Sequence, residues 1–329
     1  MKILVTGGTG YIGSVTVKRL LEKGHDVTVF DNLVYGHKEA VACKLVVGDL
    51  VDKNALDSLK QEKFDAVIHF AAYALAGESM QDPHKYFYNN IVGGLNLLEF
   101  MKATGVPRIV FSSSCAIFGT PKEIPVYEDS EKSPESPYGE SKLMFENVLA
   151  WYDKIFGIKS INLRYFNACG AALDGSLGEQ HNPETHIIPI AMQAALGQRD
   201  KFLLYGNDYP TRDGTCVRDY IHIEDLASVH IQAIEKLQAT NKSDSFNIGT
   251  GNGYSNLQIL DMIKKISGVD FHVEIVSRRP GDPSEIYADN AKAVKELGFV
   301  PKYSDLETII KTAWEWHKKN ATAAEPSVR

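Results

Sequence analysis

Tyr138-Gly139-Glu140-Ser141-Lys142 puts a phenol and an amine four residues apart. On a helix those positions share a face. An ammonium beside a phenol favours the phenolate, a strong base for a hydroxyl proton. Moving a tyrosine pKa from ~10 to ~7 needs about 4 kcal/mol. One charge at about 4 Å supplies roughly that at an effective dielectric of 20. Desolvation of the phenolate opposes it, so a second positive charge would help. Alone, this spacing describes many ordinary surface pairs. Ser112-Ser113-Ser114 follows an apolar run that reads as a strand, Ile109 to Ser112, and a hydroxyl there could bridge a substrate oxygen and Tyr138.

Gly7-Gly8-Thr9-Gly10-Tyr11-Ile12-Gly13 reads as a place for a dinucleotide. The segment follows a strand and opens a helix. Gly8, Gly10 and Gly13 fit G-x-G-x-x-G, and Gly7, Gly10 and Gly13 fit G-x-x-G-x-x-G. Glycines permit the tight turn and the close approach of a pyrophosphate, and the helix N-terminus offers unpaired N–H groups. Asp31 ends the second strand about 20 residues on, placed to accept hydrogen bonds from an adenosine ribose. Its charge would repel a 2′-phosphate, which favours NAD over NADP.

Strand and helix signals alternate where these groups must be held. Ile3–Thr6, Val27–Phe30, Leu45–Val47, Ala66–Phe70, Ile109–Ser112 and Ser160–Tyr165 read as buried strands. Helices are predicted around Ile12–Lys23, Asn54–Gln61, Tyr86–Ala103 and Pro137–Phe156, with Ser136 as N-cap and Gly24 and Gly105 at C-caps. That alternation predicts an α/β fold, a doubly wound parallel sheet of Rossmann type. Loops lengthen after Asn167. The expected organisation is a NAD-binding domain over 1–167 and a smaller C-terminal substrate-binding lobe over 168–320, with some segments crossing back. A frayed tail is expected over 321–329.

The chain has 329 residues and a net charge of −7. The acidic balance argues against a nucleic-acid or anionic-membrane surface. No apolar run reaches the ~20 residues of a spanning helix. A strand begins almost at Met1, so no signal peptide is expected, and Cys43, Cys115, Cys169 and Cys216 suit neither a disulfide framework nor a zinc site. A cytoplasmic protein with reduced thiols is expected. His181 and His186 flank Glu184, but their spacing fits no familiar site, so no metal is expected. Trp314 and Trp316 read as packing residues.

Taken together, the motifs resemble those of the extended short-chain dehydrogenase/reductases, and within them the UDP-glucose 4-epimerase family. The similarity runs from Lys2 to about Lys318. It is carried by the glycine turn, Asp31-Asn32-Leu33, Gly48-Asp49-Leu50, His69-Phe70-Ala71-Ala72, Gly77-Glu78-Ser79, Asn89-Asn90, Ser112-Ser113-Ser114, Ser136-Pro137-Tyr138-Gly139, Leu163 to Asn167, and the long run Tyr205 to Asp225.

The resemblance implies that Tyr138, Lys142 and Ser114 are catalytic. It implies NAD contacts from Gly7, Gly10, Tyr11, Ile12, Gly13, Asp31, Asn32, Asp49, Leu50, Phe70, Ala71, Ala72, Asn90, Ser112, Tyr138, Lys142 and Phe166. Ser114, Tyr138, Asn167, Ile187, Tyr205, Arg218, Arg279 and Asp282 would hold a UDP-sugar, UDP-glucose or UDP-galactose. It further implies a homodimer formed by the helices around Tyr86–Ala103 and Pro137–Phe156. Three departures stand out. Ala74 replaces a lysine that some relatives carry in the cofactor loop, His186 replaces an asparagine, and Ile286 falls where room for an N-acetyl group is gated. A related 4,6-dehydratase would need Asp-Glu after the serine position, where this chain has Cys115-Ala116. A non-catalytic NAD-binding protein would have no need of the Tyr138–Lys142 pair.

Overall fold

A computed structural model of the chain describes residues 1–279 and 282–323. The strands of the first half are β1 (Lys2–Thr6), β2 (Asp26–Asp31), β3 (Lys44–Val47), β4 (Ala66–His69), β5 (Arg108–Ser112) and β6 (Lys159–Tyr165). Later come β7 (Asn167–Cys169), β8 (Phe202–Tyr205), β9 (Val217–Arg218), β10 (Tyr220–His222), β11 (Asp244–Ile248), β12 (Tyr254–Ser255), β13 (Val273–Val276) and β14 (Glu285–Ile286). The helices are α1 (Tyr11–Glu22), α2 (Ala76–Ser79), α3 (Pro83–Phe87), α4 (Gly93–Thr104), α5 (Pro137–Phe156), α6 (Ile187–Ala195), α7 (Ile223–Thr240), α8 (Asn256–Ser267), α9 (Ala291–Leu297) and α10 (Leu306–Ala323).

Seven strands form one sheet in the order β3-β2-β1-β4-β5-β6-β11, every neighbouring pair parallel. This is the doubly wound sheet that the strand–helix alternation predicts. Parallel strands must be covered on both faces. Val17 and Leu20 of α1, Leu226 and Ile234 of α7 and Ala293 of α9 cover one face. Leu97 and Met101 of α4 and Phe145 and Leu149 of α5 cover the other. The chain winds outward in both directions from β1 and β4, so the loops leaving those two strands part and open a crevice at their carboxyl ends. A third core joins α6, α8 and α10 to β8 and packs beyond the sheet. No helix among the described residues is long and apolar enough to cross a membrane.

Three sequence expectations differ from the fold. Asn54–Gln61 is not an α-helix but a run of tight turns with a 3₁₀ turn at Asp57–Leu59. Its two apolar anchors, Leu56 and Leu59, are three residues apart and both buried, and 3₁₀ geometry stacks such positions. The helix predicted over Tyr86–Ala103 is interrupted by a wide π turn, Tyr88–Val92, between α3 and α4. The tail was expected to fray from Ala321, but α10 continues to Ala323, and the rest of the tail lies outside the described residues.

Candidate active site

The glycine turn is shaped by close approach. Gly7 has φ +73°, and a Cβ there would stand 2.5 Å from the Ala71 nitrogen. A Cβ at Gly13 would stand 2.2 Å from the Gly7 carbonyl oxygen. Gly10 is different, because its Cβ would meet only the Gly7 oxygen at 3.5 Å. The space over Gly10 is open, and α1 starts there without a side-chain cap or an acidic residue in its first turn. Its first N–H groups are therefore suited to an anion. Asp31, almost buried, accepts from Thr9 N at 3.0 Å and Leu33 N at 2.9 Å, so the same carboxylate that faces the cleft braces the turn. Asn32 donates to Asp49 at 3.2 Å, joining the ends of β2 and β3.

Opposite the turn, α5 carries the reactive pair. Ser136 caps it by accepting from Gly139 N at 3.1 Å, with Pro137 in the first turn. Gly139 is required there because a Cβ would stand 2.5 Å from the Ala116 carbonyl oxygen. The Tyr138 backbone is tethered at both ends. Its N–H donates to Ser79 Oγ at 3.2 Å, and its carbonyl accepts from Ser141 Oγ at 2.7 Å. Asn90, in the π turn, donates to Ser141 at 3.0 Å and binds the Tyr73 backbone through both of its amide groups. The wider turn thus delivers an amide to the base of the catalytic helix.

Lys142 is 3% exposed, and its Nζ donates to the Ser112 carbonyl at 2.8 Å and lies 5.8 Å from the centre of the Tyr138 ring. Burial lowers its pKa to about 7, with Glu146 one turn along α5 opposing the fall. Burial also pushes the Tyr138 phenol well up; Tyr165 adds to this and the Ser114 hydroxyl pulls it back. Desolvation of the phenol is the cost already expected from the sequence. The fold adds a second, because the same burial also penalises the ammonium. Positive charge brought in by a ligand would favour the phenolate. Glu146 is held by a buried pair with Arg164, at 2.6 Å, and by Ser113 at 2.6 Å. The Ser112 side chain is engaged with Tyr165.

One cleft of about 650 Å³ connects these groups. Its wall includes Gly7, Gly10, Tyr11, Ile12, Gly13, Asp31, Asn32, Asp49, Leu50, Phe70, Ala71 and Ala72. It continues through Ser112, Ser114, Tyr138, Lys142 and Phe166 to Asn167, Ile187, Tyr205, Arg218, Arg279 and Asp282. Among the residues expected in the site, Asn90 stands outside this wall, in its supporting layer. Ile286 is also absent from the wall. It is buried against Phe166, Ile117 and Ala288, while its backbone pairs with Arg218 across β14 and β9.

At the far end, the Arg279 guanidinium lies 4.0 Å from the Tyr205 ring centre, and Arg218 reaches Asp282 at 3.4 Å. Planar guanidinium forks suit diphosphate oxygens. Sequence reasoning missed the residue that sets this end, Asp219. It is fully buried and accepts from Thr250 and from Ala288 N, while its backbone carbonyl accepts from Asn167. Burial raises its pKa to about 6. Its signal was its place beside Arg218 in the Tyr205–Asp225 run. Ser79, Ser141 and Glu146 were likewise unassigned. Ala74 leaves the cofactor loop without a lysine, but Lys85 from α3 stands 4.2 Å from the Tyr73 ring centre and pairs with Glu78 at 2.7 Å.

The open space over Gly10, the uncapped helix start and the brace from Asp31 fit a dinucleotide on one side. The two arginines and the Tyr205 ring fit a second, phosphorylated nucleotide on the other. Comparisons with known proteins agree. The family model for the NAD dependent epimerase/dehydratase family matches residues 3–249. The chain is 50% identical over 323 residues to a UDP-glucose 4-epimerase of Lacticaseibacillus casei, covering 97% of this chain and 98% of that one. It is similar to the structure of UDP-glucose 4-epimerase from Brucella ovis in complex with NAD, with TM-score 0.93 and 46% identity over 95% of this chain and 97% of that chain. It is also similar to the enzyme from Bifidobacterium longum in complex with NAD⁺ and UDP, with TM-score 0.92 and 36% identity over 98% and 99% of the two chains.

Proposed function

The chain belongs to the NAD-dependent epimerase/dehydratase family, and we propose that it interconverts UDP-glucose and UDP-galactose by inverting C4 through a 4-keto sugar. One observation carries this reading. Tyr138, Lys142 and Ser114 line the same cleft as the glycine turn, Arg218 and Arg279. NAD, when bound, would supply a hydride acceptor and positive charge. The glycine turn and Asp31 hold and orient it.

Tyr138 takes the proton of the 4-hydroxyl as hydride leaves C4, and returns it when hydride comes back to the other face. Ser114 orients that oxygen. Lys142, fixed by the Ser112 carbonyl, stabilises the phenolate and would bond the nicotinamide ribose of the cofactor. Arg218, Arg279, Tyr205 and Asn167 keep the UDP end anchored while the keto sugar turns over. Anchoring matters because the intermediate must present its second face without escaping. No net oxidation occurs, so turnover needs no added cofactor.

The test uses UDP-galactose carrying deuterium at C4, in ordinary water and without added NAD. UDP-glucose retaining the label at C4 is expected; label lost to solvent would replace the hydride shuttle with proton abstraction at carbon.

Two further features belong to this reading. Met144, Trp151 and Ile155 on α5 are exposed apolar side chains at helical spacing, which supports a homodimer formed through that face. Sedimentation should give two chains per particle. The four free cysteines are compatible with a reducing, cytoplasmic setting.

A further inference from the structure

The segment before α6 carries Glu179, His181, Glu184 and His186 within eight residues. Sequence spacing draws attention only to the last three. In the fold the segment turns back on itself, and one donor atom from each of the four lies within 4.8 Å of the others. Glu179 is at the centre and is 4% exposed. Its Oε1 bonds His186 Nδ1 and lies 3.3 Å from His181 Nδ1. Glu184 closes the other side, 3.8 and 3.7 Å from the same two nitrogens.

Carboxylate oxygens and imidazole lone pairs converging on one point repel one another unless a cation lies among them. Protons on the imidazoles can relieve part of that repulsion, and the Glu179–His186 hydrogen bond uses one. His181 Nδ1 is fully covered by protein and flanked by two carboxylates, yet it makes no hydrogen bond. Buried polar atoms nearly always have a partner. The same nitrogen faces both carboxylates of the cluster.

We propose that Glu179, His181, Glu184 and His186 form a zinc site that clasps the loop leading into α6. Two imidazoles and two carboxylates suit a four-coordinate, borderline-soft cation. Magnesium and calcium need more oxygen ligands than the cluster offers. Bonds of about 2.0–2.2 Å would place neighbouring donors roughly 3.3 Å apart. That contraction is within reach of small side-chain rotations at Glu184 and the half-exposed His186. A supporting layer already exists. Glu184 Oε1 accepts from Thr185 N at 2.8 Å and His186 N at 3.0 Å, and Trp316 Nε1 donates to the Glu179 carbonyl at 3.1 Å. Such partners hold ligands in orientation.

Glu179, His181 and His186 also line the cleft, so a bound ion would shape its wall. His186 is the N-cap residue of α6, whose first residue, Ile187, lines the cleft. On the other side His181 meets the Tyr11 ring edge-on at 6.2 Å, and Tyr11 donates to the Gly170 carbonyl at 2.5 Å. A bound ion would therefore tie the substrate-side loop to the helix that opens at the glycine turn.

The test is a zinc titration of the full chain after chelator treatment and desalting, followed calorimetrically and by elemental analysis. About one zinc per chain is expected, with a higher melting temperature in zinc than in chelator. His181→Ala and His186→Ala should each abolish the stoichiometric binding. Failure of the unmodified chain to retain zinc overturns the proposal, whatever the variants do. Zinc retained equally by both histidine variants also overturns it, by assigning the ion elsewhere, for example to the cysteines. Neither readout depends on turnover, so the epimerase reading stands or falls separately.

Discussion

The two ends of the cleft present different materials. At the glycine turn the wall is backbone, and its shape comes from a seven-residue stretch, Gly7–Gly13, braced by one carboxylate. At the opposite end the wall is long side chains, Arg218, Arg279 and Tyr205, brought together from three separate segments and set by buried Asp219. Backbone forms a rigid cradle for a cofactor that should never leave. Long side chains at two strand ends and on one loop can release one sugar nucleotide and take another. The Tyr138–Lys142 pair sits between them on a rigid helix, where reacting groups need fixed geometry.

Variants at the three places should fail in three different ways. The largest effect is expected between the ends. Tyr138→Phe should lower turnover by about 10²–10⁴-fold while leaving NAD content and UDP affinity intact. Near-normal turnover, measured at saturating UDP-galactose, would remove Tyr138 from the mechanism. At the substrate end, Arg218→Ala and Arg279→Ala should each cost about 1.5–3 kcal/mol of binding, roughly 10- to 100-fold in KM, with NAD content unchanged. NAD loss in these variants would erase the contrast between the two ends.

At the cofactor end, two glycines separate shape from ligand contact. Gly7→Ala should lower the melting temperature, because it strains a left-handed residue, by about 1–3 kcal/mol, and crowds Ala71. Gly10→Ala should leave the stability of the stripped protein near normal and lose NAD, since its Cβ meets only an oxygen at 3.5 Å. Equal stability losses in the two would mean that the space over Gly10 is not kept for a ligand. Asp31→Ser should weaken NAD retention on the order of tenfold, one charge-assisted bond, and relax discrimination against NADP.

The smallest effect is on stability and has a sign that tests the buried amine. Burial lowers Lys142 to about 7 from an ordinary 10.5. Between those values the unfolded chain binds more protons than the folded one, so stability rises with pH across that window. Lys142→Met should therefore raise the melting temperature at pH 7 and flatten that rise, while abolishing turnover. A lower melting temperature, with matched NAD content, would mean that the amine is a structural contact rather than a strained functional group.

Much of the cofactor end was legible because its signals are local. A helix fixes the shared face of Tyr138 and Lys142, a tight turn fixes the need for glycine, and a cap explains Ser136 and Pro137. The same locality misled over Asn54–Gln61, where two leucines three apart satisfied a 3₁₀ turn, and over the helix predicted across the π turn that carries Asn90.

The sequence by itself determined the parallel sheet, the glycine cradle, the phenol–amine pair and the family likeness, because dihedral preference, helical period and strand spacing act over a few residues. Only the tertiary structure decided what those groups experience. It put Asp219 against Thr250 and Ala288, 31 and 69 residues away, and so aimed Arg218 and Asn167. It buried Lys142 deeply enough to weaken the charge that the spacing promised. It added Glu179 to three loop residues whose spacing alone matched no metal site. Burial and long-range contact set electrostatics, and neither is written in the order of neighbouring residues.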